Sequence, residues 1–407
     1  MSSELGFRDR IARSGVLVTN LVARATGFGS GTVLGGRVGL AISPRLLEAL
    51  SRGREVILVS GTNGKTTTTS MAAAGWGGVA TNETGANMIQ GHVAAMVASA
   101  STNVVLEVDE AWLPSTLLAT RAKVVVLTNL SRDQLDRANE VRQLAGRWRR
   151  ALSVEDAQFT VVANANDPLV AFAAMGARRV VWCDVPTTWM ADATSCPVCT
   201  RVIKHSDDSW RCVCGFERPS TPETTLDMTT GRELRIDGQR VDLALSIPGE
   251  FNRSNAALAL SALRLVGVDL EVAVARVNAI SSVAGRFSLR HWDRHVVRLL
   301  LAKNPAGFDA LLSTVPRDDS PVWIAINARL ADGHDPSWLY DVPFEALRGH
   351  KVYCFGDRRL DLATRLNYAN VECEVVDHET TLPVSDSPVP LMANYTAFSD
   401  WMARTTS

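Results

Sequence analysis

Lysine is scarce in this chain: of 42 basic residues only Lys65, Lys123, Lys204, Lys303 and Lys351 are lysines. A codon preference for arginine accounts for the bias better than any chemistry, and it leaves each lysine worth inspecting. Excess charge of one sign is lacking too. With 42 Lys+Arg against 43 Asp+Glu and a net charge of -1, the chain has no general field for holding nucleic acid. Nor is there an apolar run fit to cross a membrane. The longest weakly charged stretch, residues 72–106, is broken by Asn82, Glu83, Asn87, Gln90, His92 and Asn103, and such groups are costly in hydrocarbon. Glu4, Arg8, Asp9, Arg10 and Arg13 come early, so the charged-then-apolar layout of a secretory signal is missing. A cytoplasmic protein is expected.

What is present is the material of an ordinary folded protein, 46% hydrophobic and 21% charged over 407 residues. That length predicts two or three domains. Residues 1–50 read as a helical segment with a Gly-rich break over 27–36. A strand at 55–60 opens an alternation in which apolar runs at 104–108, 124–127, 160–163 and 180–182 are separated by helix-capable segments. This predicts a parallel sheet covered on both faces. Residues 194–222 interrupt the rhythm and read as an insertion. A short strand-rich piece follows to Ile247, then helices over 252–266 and 271–280. Strand candidates at 296–301, 322–326, 351–355 and 372–376 predict a second, smaller α/β domain of Rossmann-like type, with domains at 51–284 and 285–407.

The strand ending at Ser60 runs into Gly61-Thr62-Asn63-Gly64-Lys65-Thr66-Thr67 and a small-residue helix. Glycines let backbone N–H groups curl around an anion, and the helix N-terminus adds its positive dipole end. Lys65 can bridge the β and γ phosphates of ATP, and Thr66 can ligate Mg²⁺. The strict P-loop form is absent, because Val59 stands where its first Gly belongs. Glu107 ends the apolar strand at 104–108, on the edge where open α/β sheets present ligands, so it can hold Mg²⁺. Asp109 and Glu110 read as a solvated turn. Residues 124–127 deliver Thr128, Asn129, Asp133 and Asp136 to the same edge.

Cys196-Pro197-Val198-Cys199, twelve residues, then Cys212-Val213-Cys214 place four thiolates on two tight turns. Four soft ligands with no open position predict a structural zinc ribbon. His205, between the pairs, reads as solvent-facing. Asp207, Asp208 and Glu217 argue against a ribbon that binds nucleic acid. The remaining thiols, Cys183, Cys354 and Cys373, lie in apolar strand contexts and outside any nucleophile elbow, which reads as structural.

Several spaced motifs occur together and in order: residues 61–66, Glu107, Thr128-Asn129 with Asp133 and Asp136, Asn164-Ala165-Asn166-Asp167-Pro168, and Gly249 to Asn255. On these residues the chain, from about Gly53 onward, resembles the Mur ligases and folylpolyglutamate synthases. The resemblance implies an enzyme that phosphorylates a carboxylate with ATP and lets an amine attack the acyl phosphate. It implies a Mur-ligase central domain carrying the inserted ribbon, with Lys65 and Glu107 in catalysis. Asn252 and Asn255 would approach the adenine, and Arg286 would reach the nucleotide.

Three departures stand out. Gln134 stands where many members have His, about fifty N-terminal residues cannot form a UDP-sugar domain, and no carbamylated-lysine context is recognisable. The departures, with Lys303 to Phe308, Asn327, Ala331 to Asp341 and Asn394 to Ala397, are similar to the amidating subgroup of the family. That likeness implies a heterodimer with a GatD-like glutamine amidotransferase that supplies ammonia. It implies lipid II at the inner face of the membrane as substrate, with its glutamate converted to isoglutamine. In this subgroup the ligase lends an acid to the partner's His. The candidates are Asp332, Asp335 and Asp341, with Asp335 favoured in its exposed-looking turn, although each could equally be a turn or cap residue. The competing readings are an amino-acid-adding ligase or folylpolyglutamate synthase, a nucleotide-driven motor or switch, and a ribbon scaffold with a dead nucleotide site.

Overall fold

The computed structural model describes residues 5–26, 32–82, 85–132, 141–187, 189–206, 209–227, 229–230, 232–282, 287–318, 320–376, 382–385 and 387–406. Two compact units emerge, the first within 1–130, 141–246 and 250–281, the second within 131–140, 247–249 and 282–407.

The first unit is built on a nine-stranded sheet. Its strands are β1 (Glu55–Ser60), β2 (Ala80–Thr81), β3 (Asn103–Glu107), β4 (Val124–Leu127), β5 (Thr160–Asn164) and β6 (Val180–Asp184), continued after a small β7 (Lys204–Ser206) and β8 (Ser209–Arg211) hairpin by β9 (Thr224–Leu226), β10 (Glu233–Ile236) and β11 (Gln239–Asp242). The spatial order is β11-β10-β9-β6-β5-β4-β1-β3-β2. From β2 to β9 every pair is parallel, and only β9-β10-β11 is antiparallel. The parallel strands are the apolar runs of the sequence. Val56 to Val59, Val104 to Leu106 and Val124 to Leu127 are wholly buried, as a sheet covered on both faces requires.

Ten helices accompany this sheet among the described residues: α1 (Phe7–Ala25), α2 (Thr32–Ile42), α3 (Leu46–Ser51), α4 (Lys65–Trp76), α5 (Ile89–Ala98), α6 (Leu113–Thr120), α7 (Val141–Leu152), α8 (Pro168–Ala174), α9 (Glu250–Leu265) and α10 (Leu270–Asn278). The N-terminal helices join the same core, where Ala12, Val16, Leu46 and Leu50 pack with Val93, Val97 and Val104. The Gly-rich break is shorter than the sequence suggests, because α2 begins at Thr32 and runs straight through Gly35 and Gly36. These glycines serve contact. A Cβ on Gly35 would sit 2.0 Å from the Asn20 Oδ1, and one on Gly36 would sit 1.9 Å from the Gln90 carbonyl oxygen.

The second unit has a six-stranded mixed sheet of β12 (Phe287–Trp292), β13 (His295–Leu301), β14 (Val322–Ala325), β15 (Lys351–Phe355), β16 (Glu372–Val375) and β17 (Val389–Ala393), in the order β12-β13-β17-β14-β15-β16. Only β12-β13 is antiparallel. Helices α11 (Pro305–Leu312), α12 (Arg359–Tyr368) and α13 (Tyr395–Arg404) accompany it. Trp323, Phe355, Leu391 and Trp401 lie in its core. The α/β class, the parallel central sheet, the Cys-bearing insertion and the smaller α/β unit all agree with expectation.

Candidate active site and metal centre

The first site grows from the end of β1. Gly61 takes φ +143° and Gly64 φ +82°, backbone states that strain any side chain. Both glycines are also crowded. A Cβ on Gly61 would lie 2.0 Å from Thr128 Oγ1, and one on Gly64 would lie 2.4 Å from Asn255 Oδ1. Thr128 and Asn129, leaving the neighbouring β4, clamp the loop. Asn63 N donates to Asn129 Oδ1 at 2.9 Å, Thr62 N to the Asn129 carbonyl at 2.9 Å, and Thr128 Oγ1 to the Asn63 carbonyl at 2.8 Å. A loop held this way keeps its turn without a ligand, so little ordering remains to be done on binding. Gly64 caps α4, whose first residue is Lys65.

Lys65 is only 3% exposed, and its ammonium donates to the carbonyls of Gly61 and of Thr62 (3.1 Å) and to Glu110 Oε1 at 2.9 Å. The last is a correction to the sequence reading, which left Glu110 in a solvated turn. Glu110 is buried and ion-paired, and its carbonyl takes the Trp148 indole N–H at 2.8 Å. Its neighbour Asp109 does form the expected turn, accepting the Ala111 N–H at 3.0 Å. Thr67, Thr68 and Thr69 are buried in α4, while Thr66 is half-buried.

Glu107 ends β3 level with Val59 of β1 and is 3% exposed. Asn82 brackets its backbone, donating from Nδ2 to its carbonyl and accepting its N–H, each at 2.9 Å. Asn87 Nδ2 approaches its carboxylate at 3.4 Å. His92 Nε2 lies 2.8 Å from the same carbonyl. Burial pushes the His92 pKa down to about 4, so the ring is neutral at pH 7 and Nε2 carries the proton it donates. These contacts fix where Glu107 stands.

Asn252 and Asn255 share the buried face of α9, with Asn255 Nδ2 donating to Asn252 Oδ1 at 3.4 Å. The fold brings Asn255 against Gly64 of the phosphate loop. Asp167 caps α8 and takes a third N–H from Leu130 at 2.8 Å. Burial raises its pKa to about 6 against the pull of those donors. Arg286 and Gly285, with Asp133, Gln134 and Asp136, lie outside the described residues.

The four sulfurs of Cys196, Cys199, Cys212 and Cys214 lie within 4.8 Å of one another, with pairs at 3.8 Å (Cys196 to Cys214) and 3.4 Å (Cys199 to Cys212). These separations fit a tetrahedron of thiolates about 2.3 Å from one zinc ion, whose edges would be about 3.8 Å. They are too long for disulfides, which need about 2.05 Å. Each cysteine pair is followed by a left-handed residue, Thr200 (φ 65°) and Gly215 (φ 87°). That turn aims the backbone N–H groups inward. His205 is exposed, as expected.

The ribbon is anchored on the sheet. Trp210 Nε1 donates to the Ala165 carbonyl at 3.1 Å, and Arg218 binds Asn166 Oδ1 and Asp184 Oδ1, both at 2.6 Å. Nothing local in the sequence marks Asn166 for this docking role, since its partner Arg218 is 52 residues away. We expect about one zinc per chain by metal analysis of protein purified without chelator. Replacing Cys199 by Ser should lower Tm by roughly 5–10 °C, the equivalent of about 2–3 kcal/mol in a domain of this size, with nucleotide affinity little changed. Absence of zinc overturns the assignment.

In the second unit the residues that marked the subgroup converge. Asn394 Nδ2 donates to the Asn327 carbonyl at 2.6 Å, and Asn327 Nδ2 donates to Thr396 Oγ1 at 3.1 Å. Asp332 is buried and accepts the Thr396 N–H at 2.9 Å, the Thr396 hydroxyl and the Arg329 N–H at 3.2 Å. It is occupied in holding the turn. Asp335 is exposed and accepts the Ser337 N–H (2.8 Å) and hydroxyl (2.9 Å). Asp341 is exposed and pairs with Arg132 at 3.5 Å; the 3-10 turn that follows begins after Pro343 without a side-chain cap. Asn304 caps α11 by accepting the Gly307 N–H at 2.8 Å.

No described cysteine outside the ribbon is poised as a nucleophile. Burial pushes the Cys183 thiol up to about 12 and raises Cys354 and Cys373 as well, and a thiol is unreactive until ionised.

Residues 59–263 match the family model for the Mur ligase middle domain, and residues 301–398 match that for the MurT ligase C-terminal domain. The chain is 28% identical over 374 residues to the lipid II isoglutaminyl synthase (glutamine-hydrolyzing) subunit MurT of Staphylococcus aureus strain COL, covering 85% of each chain. To the subunit of the same name from Streptococcus pneumoniae R6 it is 27% identical over 387 residues, covering 87% of this chain and 86% of the other. Among solved structures it resembles a pseudomurein peptide ligase type C from Methanothermus fervidus, with a TM-score of 0.65, 20% identity, and coverage of 86% and 78% of the two chains. With the middle-domain match alone spanning just over half of the 407 residues, the chain belongs to the Mur ligase family.

Proposed function

We propose that this chain is the ligase subunit of a lipid II isoglutaminyl synthase: it activates the α-carboxylate of the D-glutamate of lipid II with ATP and amidates it with ammonia released by a GatD-like glutaminase partner. As a member of its family it is an ATP-dependent ligase. The observation that carries the finer reading is an intact phosphate loop in a chain whose MurT-named relatives align along 85% of their length.

In this reading the carboxylate oxygen attacks the γ-phosphorus, the bond to the bridging oxygen breaks, and ADP leaves. Ammonia then attacks the acyl carbon, loses a proton, and phosphate departs with the C–O bond electrons. Lys65 exchanges its Glu110 partner for phosphate oxygens, and the N-terminus of α4 directs backbone N–H groups at the same charge. Gly61, Thr62, Asn63, Gly64 and Thr67 form the cradle, with Asn252, Asn255 and Arg286 reserved for the rest of the nucleotide. Thr66 and Glu107 would hold Mg²⁺, which supplies positive charge at the β and γ phosphate oxygens. Zinc in the ribbon is structural. In this reading ammonia comes from elsewhere, because the non-ribbon thiols lie within strands with burial raising each above its ordinary pKa, and Asp335 is the acid offered to the partner's His. The work is done in the cytoplasm, at the inner face of the membrane where lipid II is made accessible.

The test is reconstitution with the co-purified partner, lipid II, ATP, Mg²⁺ and glutamine. The expected product has lost one carboxylate, with one ADP and one phosphate per amide. A product enlarged by an amino-acid residue would overturn the amidation reading in favour of an amino-acid-adding ligase.

A further inference from the structure

The first helix, α1, has two unlike long faces. Ala12, Val16, Asn20 and Ala23 are its buried residues. At 3.6 residues per turn, Phe7, Ile11, Val18, Leu21 and Val22 fall on the opposite arc, and all are exposed: Phe7 by 81%, Leu21 by 69% and Val18 by 61%. Leu17 lies exposed at the flank of that arc. Single exposed apolar residues are ordinary on a protein surface, but a stripe along one helix is the mark of an interaction face. The helix cannot roll to bury the stripe. Its inner face is locked to α2, where Gly39 meets Val16 and Gly35 meets Asn20 so closely that neither could carry a Cβ without displacing its neighbour. At the end of α2 next to Asn20, Val33 and Leu34 are exposed as well.

The charge in these N-terminal helices is mostly positive. Residues 5–50 hold six arginines, Arg8, Arg10, Arg13, Arg24, Arg37 and Arg45, against only Asp9 and Glu48, although the whole chain is nearly neutral. Asp9 is turned inward, accepting the Ser43 hydroxyl at 2.6 Å. Arg8, Arg10, Arg24 and Arg37 are exposed. An apolar stripe bordered by guanidinium groups is the pattern of a helix lying in the plane of an anionic bilayer, with its side chains in the acyl boundary and its cations at the headgroups. Arg8 and Arg10 each give one N–H to a backbone carbonyl, of Ile42 and of Leu5 (3.0 Å), and remain exposed beside the stripe. We infer that the exposed face of α1, extended by the start of α2, docks on an anionic lipid surface and holds the ligase where its lipid-linked substrate lies. The inference rests on the lipid II reading for its purpose, but not for its geometry.

The experiment uses the full-length chain, alone and with its co-purified partner, in sedimentation with vesicles of phosphatidylcholine and of phosphatidylcholine mixed with phosphatidylglycerol. Wild type should bind the anionic vesicles at least about tenfold better than the neutral ones and lose much of that binding as salt rises. The double variant Val18→Glu, Leu21→Glu should lose at least about tenfold in binding while keeping its Tm, because neither side chain packs in the core. Its ATP-dependent amidation of a water-soluble, short-chain substrate analogue should be unchanged, while turnover of lipid II in vesicles falls. The inference is overturned if wild type ignores anionic vesicles or if the double variant binds them as well as wild type. It is also overturned if ultracentrifugation shows a dimer that the double variant dissolves, or if the partner displaces the vesicles, since the stripe would then belong to a protein contact. Failure of the ligase reading is distinguishable: amidation would be missing with the soluble analogue while vesicle binding persisted.

Discussion

Lys65→Ala is expected to lower ATP-dependent amide formation by about 10³-fold or more, because the transfer of a phosphoryl group depends mainly on positive charge placed at its oxygens. The buried pair with Glu110 complicates that variant. Removing Lys65 leaves a buried carboxylate without its cation, a defect that costs about 3–5 kcal/mol of stability in comparable pairs. Activity could then be lost through unfolding. The variant Lys65→Met, Glu110→Gln separates the two effects, since it removes both charges and leaves side chains of similar volume. It should keep the fold, seen as an unchanged thermal transition, and still lack ligation. Thr66→Ala supplies an independent check, for it leaves the Lys65 pair untouched and should reduce ligation steeply by weakening Mg²⁺ binding. Retained turnover in both a folded Lys65 variant and Thr66→Ala would overturn the phosphate-loop assignment.

The same ion pair marks where the sequence was readable and where it was not. The strand-turn-helix proposed as the phosphate loop was legible because its determinants are local: a strand, two glycines, a lysine and a helix within a few residues. The central strands were legible because a parallel sheet buried on both faces writes itself as unbroken apolar runs. Glu110 was not legible, because its partner is 45 residues away, and nothing near Asp109 and Glu110 distinguishes a turn acid from a buried one. The signal that could have raised it is the scarcity of lysine, since an inward-facing Lys65 needs a counter-charge. Thr128 and Asn129 read as a motif in the sequence, but their function as a brace for the loop appears only when β4 and β1 are paired.

Other misses have equally particular causes. β17 escaped notice because Pro390 lies inside it, and proline argues against a central strand. The fold admits it at a place where the pairing with β14 begins only at Leu391. β12 was missed because Ser288, Arg290 and His291 give it the polar alternation of an edge strand. Gly35 and Gly36 read as the end of a helix break, since glycine is costly in a helix interior. Here close helix packing offsets that cost, which no local rule could show. The ribbon's cysteines were plain from spacing alone, whereas the docking of Trp210 and Arg218 on the loop after β5 is tertiary.

Asp335→Asn is expected to lower glutamine hydrolysis by the assembled complex by ~10³-fold or more, by analogy with the loss seen when a triad acid is made neutral. The geometry narrows three candidate acids. Asp332 is buried with its oxygens committed to Thr396 and Arg329, so replacing it should loosen the turn and harm stability first. Asp341 is accessible, but it already has the Arg132 guanidinium as partner. Asp335 is exposed on a turn whose base is pinned by the Asn327-Asn394-Thr396 network, and its described contacts are the N–H and hydroxyl of Ser337 within its own turn. A side chain so placed can be presented to a neighbouring imidazole at fixed position. Asparagine keeps the shape and can still hold the turn, yet it lacks the charge that would stabilise the imidazolium and fix its tautomer. Ligation driven by added ammonium salt should therefore survive in Asp335→Asn, because the proposed ATP and Mg²⁺ contacts, Lys65, Thr66 and Glu107 among them, do not include Asp335. Loss of ammonia-driven ligation with glutamine hydrolysis intact would overturn the assignment. If neither activity changes while Asp341→Asn abolishes glutamine hydrolysis, the acid lent to the partner is Asp341.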